Sequence, residues 1–115
     1  MRSGKIWGFT ENIFEKNNVE VHRIEIEKGG VCSKHKHLHK FNLFYVEAGH
    51  VKISTWKNDY DLMDDTVLEL GMVTIVPPGE FHQFTALESS IVFEIYWTEL
   101  TKDIVRESVG MVIKI

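Results

Sequence analysis

The feature that most restricts the fold of this chain is a repeated alternation of apolar and polar residues. In residues 19–27, one set of alternate side chains is Val, Val, Arg, Glu and Glu, and the other is Glu, His, Ile and Ile. Successive side chains of a β-strand point to opposite faces, so this period of two predicts a strand. Strand-like runs recur in three longer segments, NLFYVEAGHVKISTW, VLELGMVTIV and SIVFEIYW. Many short strands interrupted by glycine and proline predict an all-β sandwich or barrel.

Three segments lie outside this pattern. Residues 101–108, TKDIVRES, are the best helix candidate and would form about two turns. Residues 57–65, KNDYDLMDD, are polar and predict a turn. The C-terminal residues 109–115, VGMVIKI, are apolar and β-prone. Because such a segment is unfavourable in water, we expect it to cover its own barrel or to pair with the sheet of a partner.

Length and charge restrict the class of protein. A chain of 115 residues predicts one domain, residues 1–115, with the barrel core at about 19–98. The net charge of −4 gives no general attraction to nucleic acid or to an anionic membrane. No apolar run approaches the ~20 residues of a membrane span, and no signal peptide is visible. The single cysteine, Cys32, fits a reducing compartment, so we expect a soluble cytoplasmic protein.

Three of the six histidines lie in the segment HKHLHKF, at His35, His37 and His39. Alternate residues of an extended segment share a face, and imidazole binds Zn, Fe, Ni, Mn and Cu. A further ligand should come from elsewhere in the chain, and His82, after the corner formed by residues 77–79, is the candidate. A cationic surface patch and a polar loop without a site are the competing interpretations of the segment.

The spacing around these histidines follows two motifs. The first is Gly29, five residues, His35-Lys36-His37, four residues, Asn42, six residues and Gly49. The second is Gly71, five residues, Pro77-Pro78-Gly79, two residues, His82, three residues and Ala86. In this spacing the chain resembles the cupins, which implies a double-stranded β-helix, or jelly roll.

The resemblance implies that His35, His37 and His82 bind one divalent metal, with Zn, Mn, Fe, Ni and Co as candidates. The cupin position for an acidic ligand holds Asn42, whose neutral carbonyl oxygen is a weaker donor than a carboxylate. We therefore expect a weaker site, or one with more positions open to water or substrate. His39 is the alternative fourth ligand, and a place at the rim of the pocket is its competing interpretation.

Within the cupins, the chain looks most like the small type II mannose-6-phosphate isomerase domain. The matching residues, in chain order, are Trp7-Gly8, Arg23-Ile24, Gly29-Gly30, Glu94 and Asp103-Ile104-Val105-Arg106. His37 and His39 match histidines of that family, His35 replaces a glutamine, and the closing Tyr-Gly-Arg is absent. The resemblance implies a homodimer and an isomerase or epimerase that acts on a sugar or sugar phosphate.

Aldose–ketose isomerisation requires a base that moves a proton between neighbouring carbons. The candidate catalytic residues are His22, Glu94 and Tyr96, because His22 shares a strand face with two isoleucines and Glu94 shares one with Tyr96. Glu94 and Tyr96 face either the cavity or solvent, and both orientations remain open. The opposite face of their strand is predicted to be core, and it carries Ile91, Phe93, Ile95 and Trp97. Glu47 has the parity of an outward side chain.

Two other functions remain open for the same residues. One is a non-catalytic module that binds a metal or a small ligand, such as a carbohydrate. The other is a non-haem iron dioxygenase, because three histidines without an acid leave positions open on the metal. A phosphorylated ligand would require cations near the mouth of the barrel, and the candidates are Lys34, Lys36, Lys40 and Arg106.

Overall fold

The computed structural model describes residues 2–57, 62–98, 103 and 105–115. In these residues the chain forms nine β-strands: β1 Arg2–Lys5, β2 Gly8–Lys16, β3 Val19–Ile26, β4 Phe41–Ala48, β5 Val51–Trp56, β6 Met63–Leu68, β7 Val73–Val76, β8 Phe81–Ala86 and β9 Ser90–Trp97. They make two antiparallel sheets, with strand orders β1-β2-β3-β9-β4-β7 and β6-β5-β8. The two sheets form a jelly roll, which confirms the all-β prediction.

The core lies between the two sheets and is built from their inner faces. Ile24, Phe44, Val46 and Val92 project from the six-stranded sheet, and each is at most 2% exposed. The three-stranded sheet contributes Val51, Ile53, Leu68, Phe84 and Ala86. Burial of a side chain of this size contributes about 1.5–3 kcal/mol, so these residues stabilise the packing of the two sheets.

The face of strand β9 that points into the barrel is the one that carries Glu94 and Tyr96, whose orientation the sequence left open. Val92 is fully buried, and Glu94 and Tyr96 share its parity. The prediction that the opposite face is core is wrong, because its four side chains are only half-buried on the outer surface; they are Ile91, Phe93, Ile95 and Trp97. The β9 sequence is apolar at almost every position, so its own pattern cannot distinguish the two faces. Its pairing with β3 and β4, which aligns Val92 with Ile24 and Val46, determines which face is inside.

Other local predictions have mixed outcomes. Residues 63–65, predicted as part of a turn, begin β6 instead, while 58–61 lie outside the described residues. Asp103 and residues 105–108 contain no helical residue, and the rest of the 101–108 helix candidate lies outside the described residues. The C-terminal segment is exposed and does not cover its own barrel; Val112 is 98% exposed. No helix with the length and hydrophobicity of a membrane span occurs in the part of the chain that the structure describes.

The turn at Gly49 joins the two sheets at a point of close approach. Gly49 has a φ of +91°, in the left-handed region that favours glycine. A Cβ at this position would lie 2.7 Å from the Ser89 carbonyl oxygen and closer still to the Ser90 hydroxyl. Ser90 in turn accepts a hydrogen bond from the His50 amide and donates one to the Glu88 carbonyl. The absence of a side chain at Gly49 therefore lets the β4–β5 turn pack against the start of β9.

We predict that Gly49→Ala destabilises the protein much more than Gly71→Ala. Gly71 also has a positive φ, +81°, but a Cβ at that position would have no atom within 4 Å among the described residues. Gly71→Ala should therefore cost only the backbone strain, about 1–2 kcal/mol. Gly49→Ala adds a clash, for a total of about 3 kcal/mol or more. Urea denaturation of both variants checks this prediction, and equal losses would contradict the close approach at Gly49.

Candidate metal centre

Three histidines from two distant segments meet inside the barrel. His35 and His37 lie in the segment between β3 and β4, and His82 lies in β8. His35 and His82 exchange backbone hydrogen bonds of 3.1 and 2.8 Å in an isolated β-bridge. The His37 carbonyl accepts a 2.8 Å hydrogen bond from the Gly79 amide, which ties His37 to the corner before β8. Ring nitrogens of the three histidines lie within 4.8 Å of one another, close enough to hold one metal ion.

Hydrogen bonds select the tautomers of two of these rings. The Nδ1 atom of His35 lies 2.7 Å from the Ser33 carbonyl oxygen, and that of His82 lies 3.2 Å from the Glu80 carbonyl oxygen. A carbonyl oxygen only accepts hydrogen bonds, so in both rings Nδ1 carries the proton and donates. The Nε2 atom of each neutral ring then keeps its lone pair. Carbonyl partners of this kind orient histidine ligands in metal sites.

Three buried polar atoms at this end of the barrel lack a hydrogen bond to any residue that the structure describes. They are Nε2 of His37, Nε2 of His82 and Oδ1 of Asn42. The Asn42 amide nitrogen donates to the Leu43 carbonyl at 3.3 Å, which leaves its oxygen as the unpaired atom. Each buried unpaired group costs about 1–3 kcal/mol. A divalent cation satisfies imidazole nitrogens and an amide oxygen alike, so the donor set fits a metal ion.

Burial favours the neutral form of His37 and His82. Desolvation lowers the pKa of His82 to about 4, against the opposing effect of its hydrogen bond to the Glu80 carbonyl, and the nearby His35 and His37 lower it further. Desolvation also lowers the pKa of His37, with smaller contributions from His35 and Lys40. Both rings therefore keep their lone pairs at neutral pH. With Asn42 also neutral, these four side chains bring no negative charge to a bound metal.

The other sequence candidates are not part of this three-histidine group. His39 is exposed and lies outside the three-histidine group. The Lys34 ammonium lies 4.1 Å from the ring centre of Trp56, on the outside of the barrel's smaller sheet. Lys36 stacks on Phe81, Lys40 pairs with Glu20 at 2.6 Å, and Arg106 is exposed. Glu47 is exposed as expected from its parity.

A cavity of about 500 Å³ adjoins the centre and contains all three candidate catalytic residues. His35 is in its wall together with His22, Glu94 and Tyr96. His22 pairs with Glu94 across β3 and β9, and the Tyr96 hydroxyl donates a hydrogen bond to the Glu94 carboxylate. The Tyr96 ring also contacts His22 and His37, with ring centres 5.5 and 5.0 Å apart. The cavity therefore brings the hydrogen-bonded Glu94 and Tyr96 side chains to the same wall as His35.

The pKa values of Glu94 and Tyr96 are both raised. Burial raises the pKa of Glu94, and the hydrogen bond from Tyr96 and the nearby His35 partly oppose this. Burial also raises the pKa of Tyr96, and the negative charge of Glu94 adds to the effect. A carboxylate with a raised pKa is a stronger base than an exposed one, and Tyr96 remains a hydrogen-bond donor at neutral pH.

Several residues of the cavity wall were not among the sequence candidates for the site. Lys5, Trp7 and Thr10 come from the β1–β2 hairpin, and Cys32 comes from the segment before the histidines. Thr10 pairs with Ile24, which points inward, so the alternation of β2 could have predicted that Thr10 lines the cavity. Lys5 carried no such signal, because its place depends on how the hairpin packs. The Cys32 sulfur accepts a hydrogen bond from the Phe84 amide, and burial raises the pKa of its thiol to about 11, which keeps it protonated.

A jelly roll with three convergent histidines in its interior, beside a cavity of small-molecule size, defines a class of β-barrels with a candidate metal centre. Within that class, the chain belongs to the cupin family, whose model matches residues 9–109. No curated protein sequence matches the chain.

Solved structures agree on the fold. KdgF from a Halomonas species is 16% identical, with a TM-score of 0.74 over 87% of this chain and 89% of that chain. An RmlC-like cupin from Shewanella frigidimarina is 19% identical, with a TM-score of 0.69 over 84% of this chain and 82% of the other. An oxalate decarboxylase variant from Bacillus subtilis is 12% identical, with a TM-score of 0.76 over 85% of this chain but 27% of that chain. At these identities the likeness supports the fold alone.

We predict that His82→Ala removes the bound metal while His39→Ala retains it. His82 supplies a buried Nε2 at the centre of the cluster, whereas His39 is exposed. Loss of one of three imidazole ligands should weaken binding by at least about 100-fold. Elemental analysis of the purified wild type and both variants checks this. Equal metal content in the wild type and His82→Ala would contradict the site.

We predict that Asn42→Asp tightens metal binding and lowers the stability of the metal-free protein. The substitution keeps the size of the side chain but adds a negative charge at the unpaired oxygen. Without metal, the buried carboxylate is uncompensated, which is unfavourable for folding. We expect a Kd at least about tenfold lower, equivalent to about 1.4 kcal/mol. Calorimetric titration with Mn²⁺ or Zn²⁺ measures the change, with Asn42→Leu as the control that removes the oxygen. An unchanged Kd in both variants would mean that Asn42 is not a ligand.

Proposed function

We propose that the protein is a metal-dependent enzyme that moves a proton between neighbouring carbons of a small hydroxy-carbonyl compound. The most specific form of the proposal is an isomerase or epimerase for a sugar or sugar phosphate. The observation that carries it is the half-buried Glu94 carboxylate, which accepts a hydrogen bond from Tyr96 in the wall of the same cavity as His35. A site that only binds metal has no need for a base with a raised pKa beside its ligands.

Each polar group of the cavity has a role in this proposal. His35, His37 and His82 hold the metal, which when bound supplies Lewis-acid polarisation of a carbonyl oxygen. Glu94 accepts the proton from one carbon and returns it to the neighbouring carbon in an isomerisation, or to the same carbon in an epimerisation; in the isomerisation the hydroxyl proton of the substrate also moves from one oxygen to the other. Tyr96 orients the Glu94 carboxylate through its hydrogen bond. His22, which also lines the cavity, binds a substrate hydroxyl.

The cavity also indicates the class of substrate. Its volume of about 500 Å³ is within the range of about 300–1,000 Å³ typical of small-molecule sites. The hydroxyl of Thr10 and the ring of His22 offer hydrogen bonds to a polyhydroxy compound. Lys5 supplies a cation at this cavity, whereas Lys34 and Lys36 stack on aromatic rings outside it. A sugar that bears a phosphate or carboxylate group suits this lining.

The relatives support the metal chemistry in general terms. The oxalate decarboxylase of Bacillus subtilis has Mn(II) centres, so Mn²⁺ is the first metal to test here. The short motifs shared with type II mannose-6-phosphate isomerases favour isomerisation. The same resemblance favours a homodimer, and the single free Cys32 favours a cytoplasmic location.

A specific observation also favours a second candidate, a non-haem iron dioxygenase. The position of the usual acidic ligand holds Asn42, so the site resembles a set of neutral ligands with open positions. This candidate makes no use of the pairing between Glu94 and Tyr96. The two candidates therefore differ in their dependence on Glu94 and on oxygen.

We predict that the metal-loaded protein catalyses exchange of a carbon-bound proton with solvent, and that Glu94→Gln slows the exchange by about 100-fold or more. The amide keeps the shape of the side chain but cannot accept the proton. The assay incubates neutral, phosphorylated and carboxylated aldoses and ketoses in D₂O with Mn²⁺, Fe²⁺, Co²⁺, Ni²⁺ or Zn²⁺ and follows the C1 and C2 protons by NMR. Glu47→Gln, at an exposed carboxylate, is the matched control.

Metal content must be the same in the wild type and in Glu94→Gln for the comparison to test catalysis. Because the base acts as a carboxylate, the wild-type rate should rise with pH through the raised pKa of Glu94. Absence of exchange with every compound would reject the proposal. Oxygen consumption with Fe²⁺ would then favour the dioxygenase, and ligand binding without reaction would favour a binding module.

A further inference from the structure

Two lysines of the segment that carries His35 and His37 take no part in the proposed chemistry. Lys34, His35, Lys36 and His37 follow one another in the sequence, so lysine and histidine alternate. Because successive side chains of an extended segment point to opposite faces, the histidines face the interior and the lysines face outward. Both lysines are exposed, and neither forms a salt bridge with a carboxylate in the described part of the chain.

Both ammonium groups lie instead over aromatic rings of the three-stranded sheet. The Lys34 Nζ atom is 4.1 Å from the ring centre of Trp56 and 5.6 Å from that of Phe81. The Lys36 Nζ atom is 4.7 Å from the ring centre of Phe81. Trp56 and Phe81 are neighbours because their backbones are aligned in the ladder of β5 and β8. A cation within about 6 Å of a ring centre is attracted to the ring. We call Lys34, Lys36, Trp56 and Phe81 the lysine–aromatic clamp.

The clamp lies where the backbone contacts of the ligand segment are sparse. An isolated bridge joins His35 to His82, and the Gly79 amide donates to the His37 carbonyl. The chain leaves the sheet directly afterwards, since Leu38 is 70% exposed. An isolated bridge has no neighbouring ladder bonds to support it. Side-chain contacts therefore contribute much of what holds this segment against the sheet.

We propose that the lysine–aromatic clamp positions the ligands of the metal centre, because it holds His35 and His37 against the smaller sheet from the outside. The antiparallel pairing of residues 35 and 82 aligns residue 36 with residue 81. The ring that receives Lys36 thus belongs to the residue directly before the third histidine. A metal that needs all three imidazoles binds more weakly by the fraction of molecules in which the segment is correctly placed. The inference rests on the metal centre of the proposed function but not on the isomerase reaction.

The sign of the effect separates positioning from simple electrostatics. Lys34 and Lys36 are positively charged and lie next in sequence to ligands of a cation. Lysines that acted through their charge alone would repel the metal, so their neutralisation would tighten its binding. Lysines that hold the segment in place have the opposite effect, because their neutralisation lets the segment move away from His82. One substitution therefore distinguishes the two roles.

The experiment measures the Kd of the full chain for Mn²⁺ and for Zn²⁺ by calorimetric titration. We expect Lys34→Gln to raise the Kd about threefold, and neutralisation of both Lys34 and Lys36 to raise it about tenfold. Lys34→Arg should keep the wild-type Kd, because a guanidinium group also stacks on aromatic rings.

The aromatic partner provides an independent test of the contact. Trp56 lies on β5, a strand that carries none of the three histidines, so its substitution leaves the ligands unchanged. We expect Trp56→Leu to raise the Kd about threefold as well. Because the two side chains form one contact, the double variant with Lys34→Gln should also show about a threefold rise, and not the roughly ninefold rise of independent sites.

Lys40→Gln is the matched control for charge. Lys40 is also a lysine close to the histidines, but it pairs with Glu20 at 2.6 Å instead of an aromatic ring. Its neutralisation should leave the Kd unchanged or lower it. A rise as large as that of Lys34→Gln would mean that loss of any nearby lysine weakens the site, and would overturn the role of the clamp.

Amide hydrogen exchange of the metal-free protein tests the position of the segment directly. The amides of His35 and Gly79 make the hydrogen bonds that attach the segment. They should exchange at least about threefold faster in Lys34→Gln, while the amide of Val92 in the core strand β9 keeps its wild-type rate. Equal acceleration at Val92 would indicate a general loss of stability, which contradicts a local positioning role.

The possible failures of the inference and of the metal centre differ in the wild type. A wild type that binds neither Mn²⁺ nor Zn²⁺ would reject the metal centre and this inference with it. A wild type that binds metal, together with an unchanged or lower Kd in Lys34→Gln, would reject the clamp and leave the metal centre intact. Additive effects of Lys34→Gln and Trp56→Leu would show that the two side chains do not act through their contact.

Discussion

The register of strand β9 between β3 and β4 is the constraint on which the rest of this molecule depends. It aligns Val92 with the core, directs Glu94 and Tyr96 into the cavity, and leaves Ile95 on the outer surface. A shift of one residue would exchange the two faces of the strand. The Glu94 carboxylate would then lie among the apolar side chains of the outer surface, and isoleucine would face the cavity. One alignment thus accounts for the inward Glu94–Tyr96 pair and for the apolar side chains on the outside of the sheet.

The histidine cluster depends on a different kind of pairing. The backbone bridge between His35 and His82 brings two distant segments together, and carbonyl oxygens hold both rings in the tautomer that presents Nε2. The buried nitrogens of His37 and His82 then lack partners among the described residues, which is unfavourable for the metal-free fold. A ligand that binds only the folded state stabilises it. A metal bound at these atoms would therefore stabilise this end of the barrel.

The fold and the centre of the site could be predicted from local patterns, but the walls of the cavity could not. Alternation and the glycine and proline turns predicted an all-β sandwich or barrel, and the resemblance to the cupins implied the jelly roll and the convergence of His35, His37 and His82. The face of β9 opposite Glu94 and Tyr96 was wrongly predicted to be core, because apolar residues occupy both faces of this strand and only its neighbours distinguish them. Lys5 was missed because its place depends on the packing of a hairpin, an interaction that no short motif encodes.

The presence of Asn42 at the position of the usual acidic ligand has a chemical consequence when Glu94 is considered with it. A carboxylate bound to a metal cannot also act as a free base, whereas one in the cavity wall can. Among the described residues that line the cavity, Glu94 is the only acidic side chain, and Tyr96, the cross-strand neighbour of Asn42, holds it. The neutral ligand set leaves the charge of a bound metal undiminished, which strengthens its pull on a substrate oxygen. The distribution of charge therefore suits proton transfer better than simple metal storage, for which a carboxylate at position 42 would bind more tightly.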